Sequence, residues 1–345
     1  MKILLGMSGG LDSTYAAELL KSRGYAVEGA AVIMHEYTDL KAAKLSAREL
    51  GIPLHVIDAR DLFRREIEEY FIHEYRCGRT PNPCVVCNPR VKIGELCRFA
   101  ASNGFERVAT GHYARTVERN GLYGIAMGGD SRKDQSYMLW GLSPEQIKML
   151  CFPLGELTKD EVRARAAQLG LSSAGSKESQ DVCFIPDGDY VVFVESRSGK
   201  MPDGSFVDDS GKELGRHRGI INYTVGQRRG LGVAMGQRMF VSEIRAEKNE
   251  ILLRPDGGKY CSSMVIDGLN YQLMPPVPQG EVLECTLMGK IRYAAKPEPM
   301  KLRIEGASAT VTFSEPIRAV TPGQSAVFYT EDNAIALGGF ISHGE

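Results

Sequence analysis

Residues 6–13 read Gly6-Met7-Ser8-Gly9-Gly10-Leu11-Asp12-Ser13, and they lie between a short apolar strand and an amphipathic helix that closes at Gly24. The glycines permit a tight turn and let backbone N–H groups approach an anion closely. The helix points the positive end of its dipole at that anion, and the hydroxyls of Ser8 and Ser13 add donors. The stretch has neither the ending of a Walker loop nor the spacing of a dinucleotide fingerprint, so a plain glycine turn is the alternative. We interpret it as a phosphate-binding loop.

The sequence that follows this loop alternates between strand and helix patterns. Strands are predicted at residues 25–34, 54–57 and 107–110, and the segment between the first two predicts a helix that stops at Gly51. Repeated strand–helix units are typical of an α/β fold with a parallel sheet and helices on both faces. Ligands bind such sheets at the carboxyl ends of the strands, so we expect one pocket to collect residues 6–13, Met34 and Gly111.

In the second half of the chain the regular alternation of strand and helix patterns stops. A capping box at residues 158–161 predicts a short helix that ends at Gly170, whereas the stretches 172–180 and 196–215 are rich in Gly, Ser and Asp and predict loops. Beyond about residue 260, segments such as 300–304 alternate apolar and polar side chains, as half-buried antiparallel strands do. We therefore expect a C-terminal barrel or sandwich of about 80 residues.

The composition is that of a soluble globular protein of two or three domains, with 345 residues, 43% of them hydrophobic and 25% charged. The formal net charge of -1 lacks the overall basic character typical of nucleic-acid-binding proteins, so any RNA-binding surface must be local. Three short basic clusters are candidates, although each on its own is more often solvated surface: Arg216-His217-Arg218, Arg228-Arg229, and Lys290 with Arg292.

The N-terminal apolar run is too short for a signal peptide, and no stretch is long enough to span a bilayer. We expect a cytoplasmic protein without membrane contacts, in which thiols stay reduced. Eight cysteines in such a protein indicate catalysis or metal binding more than a disulfide framework.

Two cysteines have informative surroundings. Cys87 ends a Cys-x-x-Cys motif that begins at Cys84, and a helix predicted to start near Pro89 would place its N-terminal dipole beside Cys87 and lower the pKa of this thiol. Cys183 follows a Gly/Ser-rich stretch, and a mobile loop of this kind can carry a thiol between a sulfur donor and a buried site. The alternative for Cys183 is a half-buried structural cysteine.

These thiols could also bind a metal. One Cys-x-x-Cys is half of a structural zinc site, and the second pair is missing. Three thiolates from Cys84, Cys87 and Cys183 could instead hold an iron–sulfur cluster that leaves one iron open, which we retain as a minority hypothesis.

With the loop and both cysteines identified, the chain resembles the tRNA-specific 2-thiouridylases (the MnmA type), which belong to the PP-loop ATP pyrophosphatase superfamily. PP-loop enzymes release pyrophosphate from ATP and leave an adenylylated substrate. The matching motifs occur in order along nearly the whole chain, at residues 6–13, 78–88, 109–115, 133–137, 179–185, 223–232 and 290–293.

The resemblance implies a PP-loop domain over residues 1–195, a small central tRNA-binding domain over 196–262 and a C-terminal β-barrel over 263–345. It implies that ATP is bound by Gly6, Met7, Ser8, Gly9, Gly10, Leu11, Asp12, Ser13, Met34 and Gly111. It implies that tRNA or the target base is contacted by Asn82, Pro83, Cys84, His112, Lys133, Asp134, Gln135, Arg292, Tyr293 and Gln324. By the same resemblance, Cys87 is the nucleophile and Cys183 carries a persulfide.

Two features depart from the family pattern. The connection after Met34, residues 35–39, is shorter than in many members. Position 84 is Cys where other members have Asp, so the role of that carboxylate does not transfer to this chain.

The implied chemistry is ATP-dependent 2-thiolation of the wobble uridine, U34, of Lys-, Glu- and Gln-type tRNAs, with sulfur from a sulfur-relay donor protein. ATP would adenylylate the C2 oxygen, and a transient Cys87–Cys183 disulfide would close the cycle. Asp12 would assist with Mg²⁺, unless it is only a helix N-cap. Two other functions stay open: a PP-loop enzyme that activates a small-molecule carbonyl or carboxylate, and a non-enzymatic RNA-binding protein with a metal at Cys84 and Cys87.

Overall fold

The computed structural model describes residues 1–176, 182–233, 236–255 and 260–345, and its N-terminal part is built on a five-stranded sheet. The strands are β1 (Lys2–Gly6), β2 (Ala26–Ile33), β3 (Leu54–Asp58), β4 (Arg107–Ala109) and β7 (Leu150–Cys151). They pair in parallel in the order β3-β2-β1-β4-β7. Because the chain builds outward from β1 to β3 and then returns to place β4 on the other side, a topological switch point lies between β1 and β4. A separate hairpin consists of β5 (Ala114–Arg119) and β6 (Leu122–Met127).

Helices cover both faces of the sheet because β1 is apolar on both of its faces. Ile3 and Leu5 belong to one hydrophobic core, whereas Leu4 belongs to another. The helices are α1 (Leu11–Ser22), α2 (Leu40–Leu50), α3 (Arg60–Phe63), α4 (Glu69–Arg76), α5 (Pro83–Cys87), α6 (Ile93–Ser102), α7 (Pro144–Met149), α8 (Lys159–Gln168) and α9 (Tyr190–Ser198). Short 3-10 turns lie at Ser136–Leu139, Ser172–Gly175, Ile220–Asn222 and Ala246–Lys248. Among the described residues, no helix combines the length and the apolar character that crossing a bilayer requires.

Two π-helical segments fuse neighbouring helices into longer ones. Arg64–Glu68 joins α3 to α4, and Asn88–Lys92 joins α5 to α6. The helix predicted to start near Pro89 therefore begins earlier, at Pro83, and that prediction is wrong. Proline is favourable at the first helical position, and the wider turn of the π segment accommodates the missing N–H of Pro89. Cys87 consequently lies inside a continuous helix and not in front of one.

The central domain is a four-stranded sheet with the order β10-β11-β8-β9. Its strands are β8 (Gly204–Val207), β9 (Glu213–His217), β10 (Met239–Arg245) and β11 (Glu250–Pro255). The prediction that residues 196–215 form only loops is wrong, because β8 and part of β9 fall in this stretch. Phe206 and Val207 supply the buried apolar face that makes β8 a strand despite its polar flanks.

The C-terminal part is a closed six-stranded barrel with the order β12-β15-β14-β13-β16-β17. Its strands are β12 (Tyr260–Tyr271), β13 (Val282–Lys290), β14 (Glu298–Glu305), β15 (Ser308–Arg318), β16 (Ser325–Tyr329) and β17 (Ile335–Gly344). Along β14 the side chains of Met300, Leu302 and Ile304 fill the interior, while the residues between them are exposed. The predicted α/β fold with a small central domain and a C-terminal β-barrel is confirmed.

The barrel docks onto the N-terminal domain through the segment that contains the only tryptophan. Trp140 Nε1 donates a 3.0 Å hydrogen bond to Ser325 Oγ, and the Tyr137 hydroxyl donates to the Ser325 carbonyl at 2.8 Å. Gly338 leaves room for the indole, because a Cβ there would lie 2.8 Å from the Trp140 ring. These buried bonds attach the barrel to the domain that carries the glycine loop.

Candidate active site

The glycine loop between β1 and α1 is packed so closely that its second glycine cannot be replaced without movement. Gly9 has φ +81°, and a Cβ at this position would lie 2.2 Å from the carbonyl carbon of Ala42. Ser13 Oγ accepts the Ser8 N–H at 3.2 Å, donates to the Gly10 carbonyl at 3.1 Å and lies 3.1 Å from Ser8 Oγ. The two hydroxyls therefore lie beside the N-terminus of the 12-residue helix α1, whose first backbone N–H groups and dipole favour an anion.

Asp12 is the charged residue of this loop, and it is held by two partners from distant parts of the chain. Lys159 Nζ lies 2.7 Å from both carboxylate oxygens, and the Tyr113 hydroxyl donates to Oδ1 at 2.8 Å. The position before α1 is Gly10, which makes no side-chain cap, so the alternative interpretation of Asp12 as an N-cap is wrong. The carboxylate stays one-third exposed and faces a buried lysine.

The structure brings the ends of three adjacent strands together around the loop. Gly111, just beyond β4, approaches α1 so closely that a Cβ would lie 2.9 Å from the carbonyl carbon of Asp12. Met34 follows β2, and its sulfur lies 3.8 Å from the sulfur of Cys87. The glycine loop, Met34 and Gly111 therefore lie at the carboxyl ends of three adjacent strands, with Cys87 against Met34, and we refer to this edge of the sheet as the cleft. Their roles in binding ATP and sulfur stay predictions.

His112 follows Gly111 just beyond β4, beside this cleft. Its ring is buried, and Nδ1 lies 2.7 Å from the hydroxyl of Thr110. Burial, with a smaller contribution from the positive charge of Lys92, holds the pKa of His112 well below its ordinary value. The imidazole is therefore neutral at physiological pH and can hydrogen-bond a base without adding charge.

Cys87 is a buried thiol, not an activated one. Burial raises its pKa to about 12, and the neighbouring Cys183 adds to this effect. The predicted lowering of the Cys87 pKa by a helix N-terminus is wrong, because the helix starts at Pro83 and the apolar surroundings dominate. Asn82, whose side chain caps this helix by accepting the Cys84 N–H at 3.2 Å, marks its true start.

Cys183 is exposed, whereas the next residue, Phe184, is buried among other aromatic rings. The ring of Phe184 packs against Phe63 at 5.3 Å, Phe71 at 5.3 Å and Phe193 at 5.2 Å between centroids. The protein around its sulfur raises the pKa of Cys183 to about 11, and the nearby Cys84 adds to this rise. Ser179, Gln180 and Asp181 of the predicted motif lie outside the described residues, as do residues 177–180 of the predicted loop at 172–180, whose first part forms the 3-10 turn Ser172–Gly175.

The thiols of Cys84, Cys87 and Cys183 are close enough to influence each other. Cys183 and Cys84 both raise the pKa of Cys87, and Cys84 raises that of Cys183. Within residues 1–176, 182–233, 236–255 and 260–345, however, no group of three or more His, Cys, Asp or Glu side chains is arranged to hold a metal ion.

Since both thiols are protonated at neutral pH, alkylation of Cys87 and Cys183 should accelerate about tenfold per pH unit from about pH 7 to about pH 10, without a plateau. The measurement is the iodoacetamide reaction rate, followed by peptide mass spectrometry. A cysteine peptide of ordinary pKa, which levels off near about pH 8.5, is the control. A plateau near neutral pH for Cys87 would contradict the buried-thiol environment.

The residues expected to contact tRNA fall in three places and mostly have partners within the protein. Asn82, Pro83 and Cys84 start the thiol-bearing helix, and Cys84 is exposed. Asp134 is buried and accepts N–H groups from Gly128 and Ser136, while Gln135 Oε1 accepts the N–H of Tyr113 at 3.0 Å. These two residues, which follow Lys133, hold the fold of their own loop in addition to any contact with RNA, which stays a prediction.

The barrel supplies the third group. Arg292 is exposed and donates through Nη2 to the carbonyls of Arg318 and Ala319. The Tyr293 ring is 39% exposed and meets Tyr137 edge-on, 6.2 Å between centroids. Gln324 Nε2 donates a hydrogen bond of 2.7 Å to the carbonyl of Thr80.

Of the three basic clusters, only Arg228-Arg229 is exposed throughout. His217 is buried in the central sheet, and Lys290 is buried at the domain junction. Burial lowers the pKa of Lys290, although Asp134 partly offsets this, and the ammonium lies 5.8 Å from the ring centroids of both Tyr137 and Tyr293. Lys290 and His217 are thus unsuited to the surface role considered for their clusters.

Lys159 is the functional candidate that sequence reasoning missed. The predicted capping box is present, with Thr158 and Glu161 bonded reciprocally, and Lys159 is the first residue of the helix it opens. The sequence signal that could have indicated it is a lysine at the first position of a predicted helix, directly after the capping residue Thr158. Its partner Asp12 lies 147 positions away, a pairing that no local pattern indicates.

Comparison with known proteins covers almost the whole chain. A family model described as "tRNA methyl transferase HUP domain" matches residues 1–187, one described as "tRNA methyl transferase PRC-barrel domain" matches 192–254, and one described as "Aminomethyltransferase beta-barrel domain" matches 264–341. A solved 4-thiouridine synthetase–RNA complex with bound ATP is 20% identical, with a TM-score of 0.35 over 57% of this chain and 50% of that chain, a likeness too low to carry an argument.

The full-length relatives are more similar. The "tRNA-specific 2-thiouridylase MnmA" of Syntrophotalea carbinolica is 43% identical over 99% of this chain and 98% of its own length. The protein of the same name from Carboxydothermus hydrogenoformans is 40% identical over 98% of this chain and 96% of its own length. The chain is therefore a member of the tRNA-specific 2-thiouridylase family.

Proposed function

We propose that this protein catalyses ATP-dependent 2-thiolation of a tRNA uridine at the wobble position, U34. The observation that carries the proposal is the single cleft in which a phosphate-binding loop, two neighbouring strand ends and a buried thiol meet. Cys87 reaches this cleft through its 3.8 Å contact with Met34, and Gly111 lies against the first turn of α1. Full-length relatives named 2-thiouridylases support the choice of reaction.

ATP activates the C2 oxygen of the uridine, because that oxygen is otherwise a poor leaving group. The oxygen attacks the α-phosphorus, the bond from the α-phosphorus to the bridging oxygen breaks, and pyrophosphate leaves from the glycine loop. Residues 6–13 bind the phosphates, and Met34 and Gly111 line the nucleotide site. Asp12, still one-third exposed beside Lys159, is the residue that would bind a magnesium ion shared with the phosphates.

Sulfur then replaces the activated oxygen. Cys183 accepts a sulfane sulfur from a sulfur-relay donor protein and carries it as a persulfide. In one route the terminal sulfur attacks C2 and AMP leaves with the original oxygen. Cys87 then attacks the Cys183 sulfur, releases the thiocarbonyl and forms a Cys87–Cys183 disulfide, which an external dithiol must reduce. In the other route Cys87 first releases the sulfur as sulfide, which then attacks C2.

The tRNA must present the uridine out of its stack, since chemistry on a base requires it. Asn82, Pro83, Cys84 and the neutral His112 border the cleft and are proposed to position the base. Lys133, Asp134, Gln135, Arg292 and Tyr293 are proposed to contact the rest of the tRNA, whereas the amide of Gln324 is already bound to the Thr80 carbonyl. Lys-, Glu- and Gln-type tRNAs are the proposed substrates.

An iron–sulfur cluster held by Cys84, Cys87 and Cys183 is the alternative use of the same thiols. The exposed Cys84, at a position where other members have Asp, is the observation in its favour. Iron content and visible absorbance of anaerobically purified protein decide between the two. Stoichiometric iron with a cluster absorbance would replace the two-thiol scheme.

The proposed function is tested with purified protein, ATP, Mg²⁺, a sulfane-sulfur donor such as glutathione persulfide, and transcripts of the three tRNA types. We expect 2-thiouridine at position 34 by nucleoside mass spectrometry, with AMP and pyrophosphate formed in equal amounts. A transcript with cytidine at position 34 is the control. ATP cleavage that proceeds at full rate without RNA would favour the rival PP-loop function on a small carbonyl or carboxylate.

A further inference from the structure

The segment of residues 78–82, which we name the lead-in, connects α4 to the thiol-bearing helix α5. It contacts the central sheet and the barrel, and it ends at helix α5 of the N-terminal domain. Gly78 has φ +71°, and a Cβ there would lie 2.7 Å from Cγ2 of Ile244 in the central sheet. The hydroxyl of Thr80 lies 3.4 Å from that of Thr224, also in the central domain. The last residue of the lead-in, Asn82, caps the helix that carries Cys84 and Cys87.

A turn of the barrel, residues 321–324, binds the lead-in through both backbone groups of Thr80. The Thr80 N–H donates to the Pro322 carbonyl at 2.9 Å, and Gln324 Nε2 donates to the Thr80 carbonyl at 2.7 Å. Gly323 has φ +88°, and a Cβ there would lie 3.0 Å from both Arg79 Cβ and Thr80 N. No side chain fits between the turn and the lead-in, so a shift of the turn must displace Thr80.

The turn itself is tied to the exposed arginine that is proposed to contact tRNA. Arg292 Nη2 donates to the Ala319 carbonyl at 3.4 Å, and the Thr321 hydroxyl donates to the same carbonyl at 3.1 Å. Ala319 has φ +58°, in the left-handed region that non-glycine residues adopt only where their surroundings force it. A continuous set of hydrogen bonds thus leads from Arg292 through the turn to Thr80.

We infer that the 321–324 turn positions the thiol-bearing helix, and that Gln324 is a positioning residue which couples the barrel surface to Cys84 and Cys87. RNA bound at Arg292 displaces the carbonyl of Ala319, and the turn passes that displacement to Thr80 and the helix start. The inference rests on the proposed function for its purpose, because the thiols it positions are the proposed sulfur site. The coupling is carried by a contiguous packed network, and it requires a direct test.

The test compares paired glycine and glutamine variants in the RNA-free protein. Gly323→Ala is matched by Gly280→Ala, which has φ +86° but no atom within 4 Å of the added Cβ, so both carry the same backbone strain and only one pushes the lead-in. Gln324→Ala is matched by Gln279→Ala on an exposed barrel loop. The readouts are iodoacetamide rates of Cys84 and Cys87 by peptide mass spectrometry, tRNA affinity, and thermal unfolding.

We expect Gln324→Ala and Gly323→Ala to change the RNA-free alkylation rates by about fivefold, the factor that one net hydrogen bond contributes, while both controls keep the wild-type rates. Retention of wild-type alkylation rates in both Gln324→Ala and Gly323→Ala would overturn the inference. If Gln324→Ala in addition lost tRNA affinity, Gln324 would be a direct RNA contact instead. Because these rates are measured without ATP or RNA, they decide the inference even if the wild-type protein failed to thiolate tRNA.

Discussion

Replacing Cys87 or Cys183 with serine is expected to reduce tRNA thiolation by about 10³-fold or more, because a hydroxyl can neither carry a persulfide nor exchange with one. The two variants should stop at different steps. Cys183→Ser cannot accept sulfur, whereas Cys87→Ser should accumulate Cys183 with the added mass of one sulfur atom. Nucleoside mass spectrometry measures the thiolation, and intact-protein mass spectrometry measures the sulfur load.

Two further measurements separate loss of chemistry from loss of structure. Pyrophosphate release and tRNA binding should stay near the wild-type values, because the glycine loop and the barrel are unchanged. Cys97→Ser is the matched control, since Cys97 is also buried and its pKa is also raised by burial, to about 11, but it lies outside the cleft. Near-normal turnover in either Cys87→Ser or Cys183→Ser would refute the two-thiol scheme.

Replacing Lys159 with methionine is expected to slow pyrophosphate release by about 10²- to 10³-fold, the loss typical when one preorganised charge partner of a reacting anion is removed. The glycine loop at residues 6–13 contains no lysine of its own, and Lys159 places a cation against it, 2.7 Å from both Asp12 oxygens. In the proposed reaction Asp12 would help to hold a magnesium ion, and the ammonium of Lys159 beside it would face the departing pyrophosphate. The measurement is single-turnover pyrophosphate release in the presence of tRNA.

Among the described residues this substitution leaves Asp12 with the Tyr113 hydroxyl as its side-chain partner, and we expect a loss of about 1 to 3 kcal/mol in the free energy of unfolding. Lys301→Met, an exposed barrel lysine, should change neither quantity. The double variant Asp12→Asn with Lys159→Met should be more stable than Lys159→Met alone, because the Asp12 charge is removed together with its lysine, yet it should stay inactive. If Lys159→Met lost stability but released pyrophosphate at the normal rate, the lysine would have only a structural role.

The elements near the glycine loop could be predicted because their signals are local. Helix α2 was predicted at 40–50 and is found there, since an amphipathic pattern, an Asp N-cap and Gly51 act within a few residues of each other. The convergence of Met34, Gly111 and the loop followed from the rule that parallel strands end at one edge. The start of the thiol-bearing helix was missed because Pro89 was treated as a beginning, although a π segment lets the helix run through it.

The charged and polar pairings could not be predicted in the same way. The Arg292 neighbourhood looked basic in sequence, but Lys290 is buried between two tyrosine rings. Gln324 looked like a residue free to meet RNA, but its amide binds Thr80, 244 positions away. Such contacts depend on how the barrel sits on the N-terminal domain, and periodicity along one segment does not encode that placement.

By itself, the sequence determined the class of fold and the place of the glycine loop between β1 and α1, because glycine geometry and hydrophobic periodicity act over a few residues. It also singled out Cys87 and Cys183, and it predicted that the loop binds an anion. Only the tertiary structure decided the state of those cysteines, and it reversed the expected shift, since burial by Met34 and the surrounding core raises the Cys87 pKa to about 12. It alone also placed Lys159 on Asp12 and Gln324 on Thr80. The physical reason is that desolvation and ion pairing are sums over everything that packs around a group, and most of those neighbours come from far along the chain.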